Sequence, residues 1–200
     1  MARTAGSDGA KTMEAIRKAG IKRIYREGFE GMKLRSLASD VGIQAGSLYN
    51  YIRHKQEFLY LLLKSIMEEL HEELDQELEG VDDPLEALKR FTRFHLRWHT
   101  ARKEEVFIGN MELRSLTKPH YAEVVALRRK YENRLRDILI EGDARGIWSV
   151  PDPQLTTFAL IAALTGVCTW YKPRGRLGGN EILEIYTQIV LRAVGLKDAD

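Results

Sequence analysis

The chain holds one cysteine, Cys168, among 200 residues, so no intrachain disulfide can form. That thiol lies in the apolar run 158–168 and is expected to act as a small buried hydrophobe in a reducing, cytoplasmic setting. No stretch approaches the roughly 20 apolar residues of a membrane helix, and no membrane partner is expected. Residues 1–10 are polar and Gly-containing, without an apolar segment to serve as a secretion signal, and are expected to be a disordered arm. Sustained two-residue alternation is missing, as are Asn-Gly or Asp-Gly turns between apolar runs, which argues against β-structure. There is no Gly-rich phosphate loop, no Gly-x-Ser-x-Gly elbow and no pair of carboxylates at catalytic spacing. An enzyme is therefore not expected, and neither is a cofactor. Internal repeats and low-complexity tracts are also missing.

What is present is ordinary for a globular protein: 44% hydrophobic and 30% charged residues, with a formal net charge of +2. The charge is unevenly placed. Residues 1–57 carry 11 Lys and Arg against 6 Asp and Glu, a net of +5, and the remainder a net of −3. A basic head on a mildly acidic body is the asymmetry expected when only the head meets a polyanion.

Apolar spacing is helical along nearly the whole chain and predicts an all-α protein of about nine helices. The first stripe runs from Lys11 to Tyr25 with Gly28 as its stop, and Gly20 inside it marks close packing. Short helices follow at Leu34–Val41 and Ala45–Tyr51, then a long one over about 55–79. Asp83-Pro84 and Asp152-Pro153 read as cap and first helical residue of two later helices, at about 84–102 and 153–171. Others fall at about 104–116, from Pro119 to near Gly142, and at 181–194, the last after a Pro/Gly loop. The expected division is an arm (1–10), a three-helix helix-turn-helix domain (11–54) and a larger helical bundle (55–200).

The stretch from Leu34 to Lys55 carries the chemistry. Leu37, Ala38 and Val41 give its first helix an apolar face, Gly42 supplies a tight turn, and Ile43, Leu48 and Ile52 close a small core. Gln44, Ser47, Tyr49, Asn50 and Tyr51 are left to face a major groove or its phosphate walls. Asn50 is the foremost base reader, since its amide pairs bidentately with adenine. The bland alternative is a helical hairpin with an exposed polar face.

Residues 38–43 (Ala-Ser-Asp-Val-Gly-Ile) and 46–59 (Gly-Ser-Leu-Tyr-Asn-Tyr-Ile-Arg-His-Lys-Gln-Glu-Phe-Leu) closely resemble the signature of the TetR family of transcriptional repressors. Residues 24–29 resemble the end of that family's first helix. The resemblance implies that Ser47, Tyr49 and Tyr51 contact phosphates or bases of double-stranded DNA and that Lys55 is a phosphate clamp. Arg35 is placed to reach a guanine edge or a phosphate. Met32-Lys33 stands where relatives commonly carry a capping hydroxyl, which leaves the next helix without its usual cap and offers Lys33 as an added phosphate contact.

The same resemblance implies a homodimer paired through its last two helices, a pseudo-palindromic operator and release by a small-molecule effector. Leu160, Ile161, Ala163, Leu164 and Val167, with Ile182, Ile185, Tyr186, Ile189 and Val190, are the apolar stripes available for pairing. Phe94, Trp98, Phe107 and Met111 are the aromatic and soft side chains expected to line an effector pocket, although such a stripe is more commonly plain core. His95 and His99 stand four residues apart, without a carboxylate or Cys partner at motif spacing, and no metal is expected. Residues 170–177 (Trp-Tyr-Lys-Pro-Arg-Gly-Arg-Leu) resemble a segment of the branch that answers to acyl-CoA thioesters, as do 112–116 and 125–132. Trp170 and Arg174 are then expected to meet the coenzyme, by stacking and by phosphate pairing. A sensor of free lipophilic or aromatic compounds that controls efflux is the alternative, and an enzyme using the body cavity a more distant one.

Overall fold

A computed structural model describes residues 5–196 of the chain. Among these, nine α-helices and one 3-10 turn make up the regular structure: α1 (Ala5–Gly31), α2 (Leu34–Asp40), α3 (Ala45–Leu48), α4 (Lys55–Glu77), α5 (Pro84–Ala101), α6 (Lys103–Met111), the turn Leu113–Ser115, α7 (Lys118–Ala144), α8 (Pro153–Trp170) and α9 (Gly179–Ala193). The all-α expectation holds. α1 begins at Ala5, inside the stretch expected as an arm, and takes Gly6 and Gly9 into its first turns. Residues 1–4 lie outside the described residues.

The helices gather into two compact units, and the division differs from a single boundary after residue 54. The first unit holds the chain up to Met67 together with Glu104–Val125; the second holds Glu68–Lys103 and the chain from Ala126 on. In the first unit α1 packs on α2 and α2 on α3. Ile16, Ile24, Phe29, Leu37, Leu48 and Ile52 are buried there, so the small core expected around the tight turn is present. The Phe58 ring of α4 occupies the space above Gly20, where an added Cβ would stand 2.2 Å from the ring. Gly20 thus marks close approach of two helices.

In the second unit α5 is the central helix and packs against both α8 and α9. Asp83 caps α5 by accepting from the Leu85 and Glu86 amides, and Asp152 caps α8 by accepting from the Leu155 amide. Leu88, Phe91, Phe94, Leu96 and Trp98 of α5 are buried with Leu135 and Leu139 of α7. By contrast α8 is long and apolar enough to pass for a membrane span by length and composition, with a mean hydropathy of 1.2, yet only 22% of it is buried. That apolar length exceeds what was read from the sequence. Leu155 and Phe158 of α8 and Ile185 and Ile189 of α9 are exposed, so these helices carry apolar surface that the unit's own packing does not cover. Cys168 is half-buried rather than enclosed, and burial raises its pKa against the opposing Lys103 ammonium.

Candidate nucleic-acid interface and effector site

The turn between α2 and α3 is closed by backbone geometry. Gly42 has φ of +71°. Its amide donates to the Ser39 carbonyl at 3.1 Å and the Ile43 amide to the Ala38 carbonyl at 3.0 Å, the paired bonds of a Schellman ending. Lys33 begins α2 with extended backbone and no side-chain cap, as its lack of a hydroxyl predicts. Gln44 does the same for α3. Neither side chain is spent on capping, and both are exposed.

The recognition element is shorter as an α-helix than its sequence suggests. After Leu48 it continues as tight turns, with the Tyr49, Asn50 and Tyr51 amides donating to the Gly46, Ser47 and Leu48 carbonyls. Two tyrosines and an asparagine in succession are weak helix formers, and buried Leu48 and Ile52 pin both ends of the turn. Lys33, Arg35, Gln44, Tyr49 and Asn50 are exposed; Ser47, Tyr51 and Lys55 are half-buried. All eight expected contact residues lie in the first unit, within or beside α2, α3 and the start of α4.

Lys55 has a structural task besides the one expected. Its ammonium donates to the Glu30 carbonyl at 2.9 Å and lies 4.4 Å from the centre of the Phe29 ring. It therefore satisfies a terminal carbonyl of α1, at the negative end of that helix. A second tie, between α1 and α2, is not legible in the sequence: the Arg23 guanidinium grips the Asp40 carboxylate with two donors and also reaches Glu27. The hydrogen bond from Arg23 holds the Asp40 carboxyl below its usual range. A third is the Phe29 amide, which donates to Glu112 Oε1 at 3.0 Å across 83 residues of chain.

The expected effector residues are less gathered. Phe94 and Trp98 line one cavity of the second unit, about 470 Å³, with Arg97 and Arg102 among its walls. These guanidiniums are already paired, Arg97 with Glu77 at 2.6 Å and Arg102 with Glu73 at 2.7 Å. Trp170 lines a different cavity of about 280 Å³ with Tyr171, Lys172, Arg176, Leu177 and Ile182. Its ring is half-exposed and stacks at 25° to Tyr186. Arg174 is exposed on the same loop but does not line that cavity. Phe107 and Met111 belong to the first unit, where exposed Phe107 meets Tyr25 edge-on at 5.0 Å. Within the second unit, Phe94 and Trp98 line one cavity and Trp170 another.

His95 and His99 stack face to face, with ring centres 3.6 Å apart. Both ring nitrogens of His95 are engaged, Nδ1 with the Tyr131 hydroxyl and Nε2 with the Thr165 hydroxyl, each at 3.0 Å. His99 Nδ1 meets the His95 carbonyl at 2.9 Å. Burial lowers both pKa values, that of His99 to about 4, so the pair is neutral at ordinary pH. With its two nitrogens spent on hydroxyls, His95 has none left to hold a metal. The arrangement is a satisfied polar network inside an apolar core.

Comparison with known proteins agrees with this anatomy. Residues 81–194 match the family described as "Tetracyclin repressor-like, C-terminal domain". The chain is 28% identical over 176 residues to the HTH-type transcriptional repressor KstR2 of Mycolicibacterium smegmatis, covering 86% of this chain and 85% of that one. Among solved structures it is similar to a tetR-family regulatory protein from Rhodococcus RHA1, with a TM-score of 0.87, 21% identity, and coverage of 94% of this chain and 99% of the other. It is also similar to AibR in complex with isovaleryl coenzyme A and operator DNA, with a TM-score of 0.83, 22% identity, and coverage of 93% and 100%. With a helix-turn-helix in front and a matching domain over more than half its length, the chain belongs to the TetR family of DNA-binding transcriptional regulators.

Proposed function

We propose that the chain is a cytoplasmic homodimeric repressor that holds a pseudo-palindromic operator and leaves it when an acyl-CoA thioester binds. The observation that carries the effector class is the Trp170–Leu177 loop. A half-exposed Trp stands in a cavity of about 280 Å³ whose lining includes Lys172 and Arg176. An adenine needs a flat apolar partner, and a string of phosphates needs cations; this loop offers both within a few residues. AibR, whose fold is shared, was solved with isovaleryl coenzyme A and operator DNA together.

Dimerisation rests on the uncovered apolar side chains of α8 and α9, Leu155, Phe158, Ile185 and Ile189, which a second copy would bury. Each protomer then brings one recognition element to successive turns of the groove, about 34 Å apart. Lys33, Arg35, Ser47, Tyr51 and Lys55 meet phosphates, while Gln44, Tyr49 and Asn50 read base edges. The thioester favours an arrangement in which that spacing no longer fits. It shifts the equilibrium only as far as it binds the two arrangements unequally.

One observation favours the second reading, a sensor of free lipophilic compounds. The larger cavity is backed by the buried rings of Phe94 and Trp98, and the arginines beside it are already neutralised by Glu77, Glu69 and Glu73. Thermal melting with matched thioesters, free acids and coenzyme A alone separates the two, because preferential binding to the folded state raises the midpoint. A rise with one thioester class that its free acid fails to produce supports the acyl-CoA reading. Equal rises with the free acid support the lipophile sensor.

A further inference from the structure

The Glu112–Leu116 stretch, singled out in the sequence by its likeness to thioester-responsive relatives, sits in the first unit with the helix-turn-helix. There it touches the one place where α1 is broken. Gly28 has φ of +72° and ψ of 163° inside that helix. A helix interrupted in this way leaves the next amide in need of an acceptor. The Phe29 amide finds it in Glu112 Oε1 at 3.0 Å. The second carboxylate oxygen accepts from the Ser115 hydroxyl at 2.8 Å, and the Ser115 carbonyl accepts from Gln56 Nε2 at 2.9 Å. Gln56 neighbours Lys55, whose ammonium caps the Glu30 carbonyl. Residues 29 and 30 are therefore held by Glu112 and by the first turn of α4.

We propose that Glu112 is a positioning residue for DNA recognition: its carboxylate fixes the broken end of α1 and, through it, the placement of α2 and α3. Only Met32 and Lys33 separate α1 from α2, and Phe29 and Met32 are each 2% exposed, so a displacement of the broken end passes directly into the helix-turn-helix. Because Glu112 belongs to 104–125, a segment flanked in the chain by the two pieces of the second unit, α1 is set by residues that continue covalently into that unit. This inference rests on DNA binding and is independent of the effector.

Charge and positioning predict opposite signs. A carboxylate in a unit that binds a polyanion opposes binding, so by charge alone its removal tightens the complex. A positioning role predicts that Glu112→Ala weakens it, while Glu112→Gln, which loses the same charge but keeps an acceptor oxygen, does not. The test uses the full-length chain and a duplex enriched by the wild type from a random-sequence pool, with a scrambled duplex as control. Binding is followed by fluorescence anisotropy and the Phe29 amide by hydrogen exchange. Glu112→Ala is expected to weaken binding of the selected duplex about tenfold and to speed Phe29 exchange, leaving the scrambled duplex within about twofold. Glu112→Gln is expected within about threefold of wild type. Should Glu112→Ala fail to fold, Ser115→Ala, which frees the carboxylate from its hydroxyl partner, is expected to weaken selective binding about threefold. Wild-type affinity or tighter binding in Glu112→Ala overturns the proposal, as does a Glu112→Gln variant as weak as Glu112→Ala, or an unchanged Ser115→Ala. A wild-type chain that enriches no sequence contradicts DNA recognition instead, and the Phe29 exchange rate then decides the role of Glu112 alone.

Discussion

Single side chains in this protein act mainly by filling or vacating space that the helices leave, and two of them give direct stability tests. Gly20 sits under the Phe58 ring, so Gly20→Ala forces α1 and α4 apart and should cost about 1–3 kcal/mol in urea unfolding. Gly46, in a helical turn with nothing within 4 Å of an added Cβ, is the control: Gly46→Ala should leave stability unchanged or raise it by about 0.5–1 kcal/mol. The buried histidines give the pH dependence. His99 is neutral in the fold down to about pH 4, whereas an unfolded histidine takes its proton near 6.5. Below pH 6.5 the unfolded chain binds more protons than the folded one. Stability is then full above that pH and declines as pH falls toward 4, by a total of order 3 kcal/mol for His99. Melting midpoints between pH 7 and 4.5 check this: the decline should become shallower in His99→Gln, with the share of buried His95 remaining, and an equally steep decline in that variant would rule out His99 as a source.

At the scale of elements, the proposed recognition turn and its flanks are expected to divide contacts that read sequence from contacts that only hold the backbone. Asn50 is exposed in the turn after α3, and Asn50→Ala should cost about 1–3 kcal/mol on a selected operator while leaving scrambled DNA untouched. Lys33, exposed with no capping role, should behave oppositely: Lys33→Ala weakens all duplexes alike and lowers the salt slope by about one. Equal losses on both duplexes for Asn50→Ala would remove it as a base reader. The starts of α5 and α8 were legible because Asp-Pro is a local signal, and the turn at Gly42 because only glycine sits there easily. The extent of α3 was not, since a helix of four residues is set by its buried anchors, Leu48 and Ile52, more than by its propensity. The membership of 104–125 in the first unit was invisible for another reason. Glu112 meets Phe29 across 83 residues, and such a contact leaves no periodic trace.

Across the whole molecule, the proposed function needs two copies acting together and a ligand that disturbs them. Phe158→Asp and Ile189→Asp place charge on the apolar side chains of α8 and α9 that stand exposed in one chain. Each should convert the dimer to monomers in sedimentation and abolish high-affinity operator binding, since one recognition element lacks the phosphate contacts of two. Variants that stay dimeric would place the interface elsewhere. The most direct measurement of the central claim is the affinity of the wild-type dimer for its selected operator during titration with acyl-CoA thioesters, each matched against its free acid and coenzyme A. A thioester that releases the operator at concentrations where its free acid and coenzyme A do nothing is the predicted result. Release by the free acid alone, or an operator affinity that no thioester changes, would contradict it.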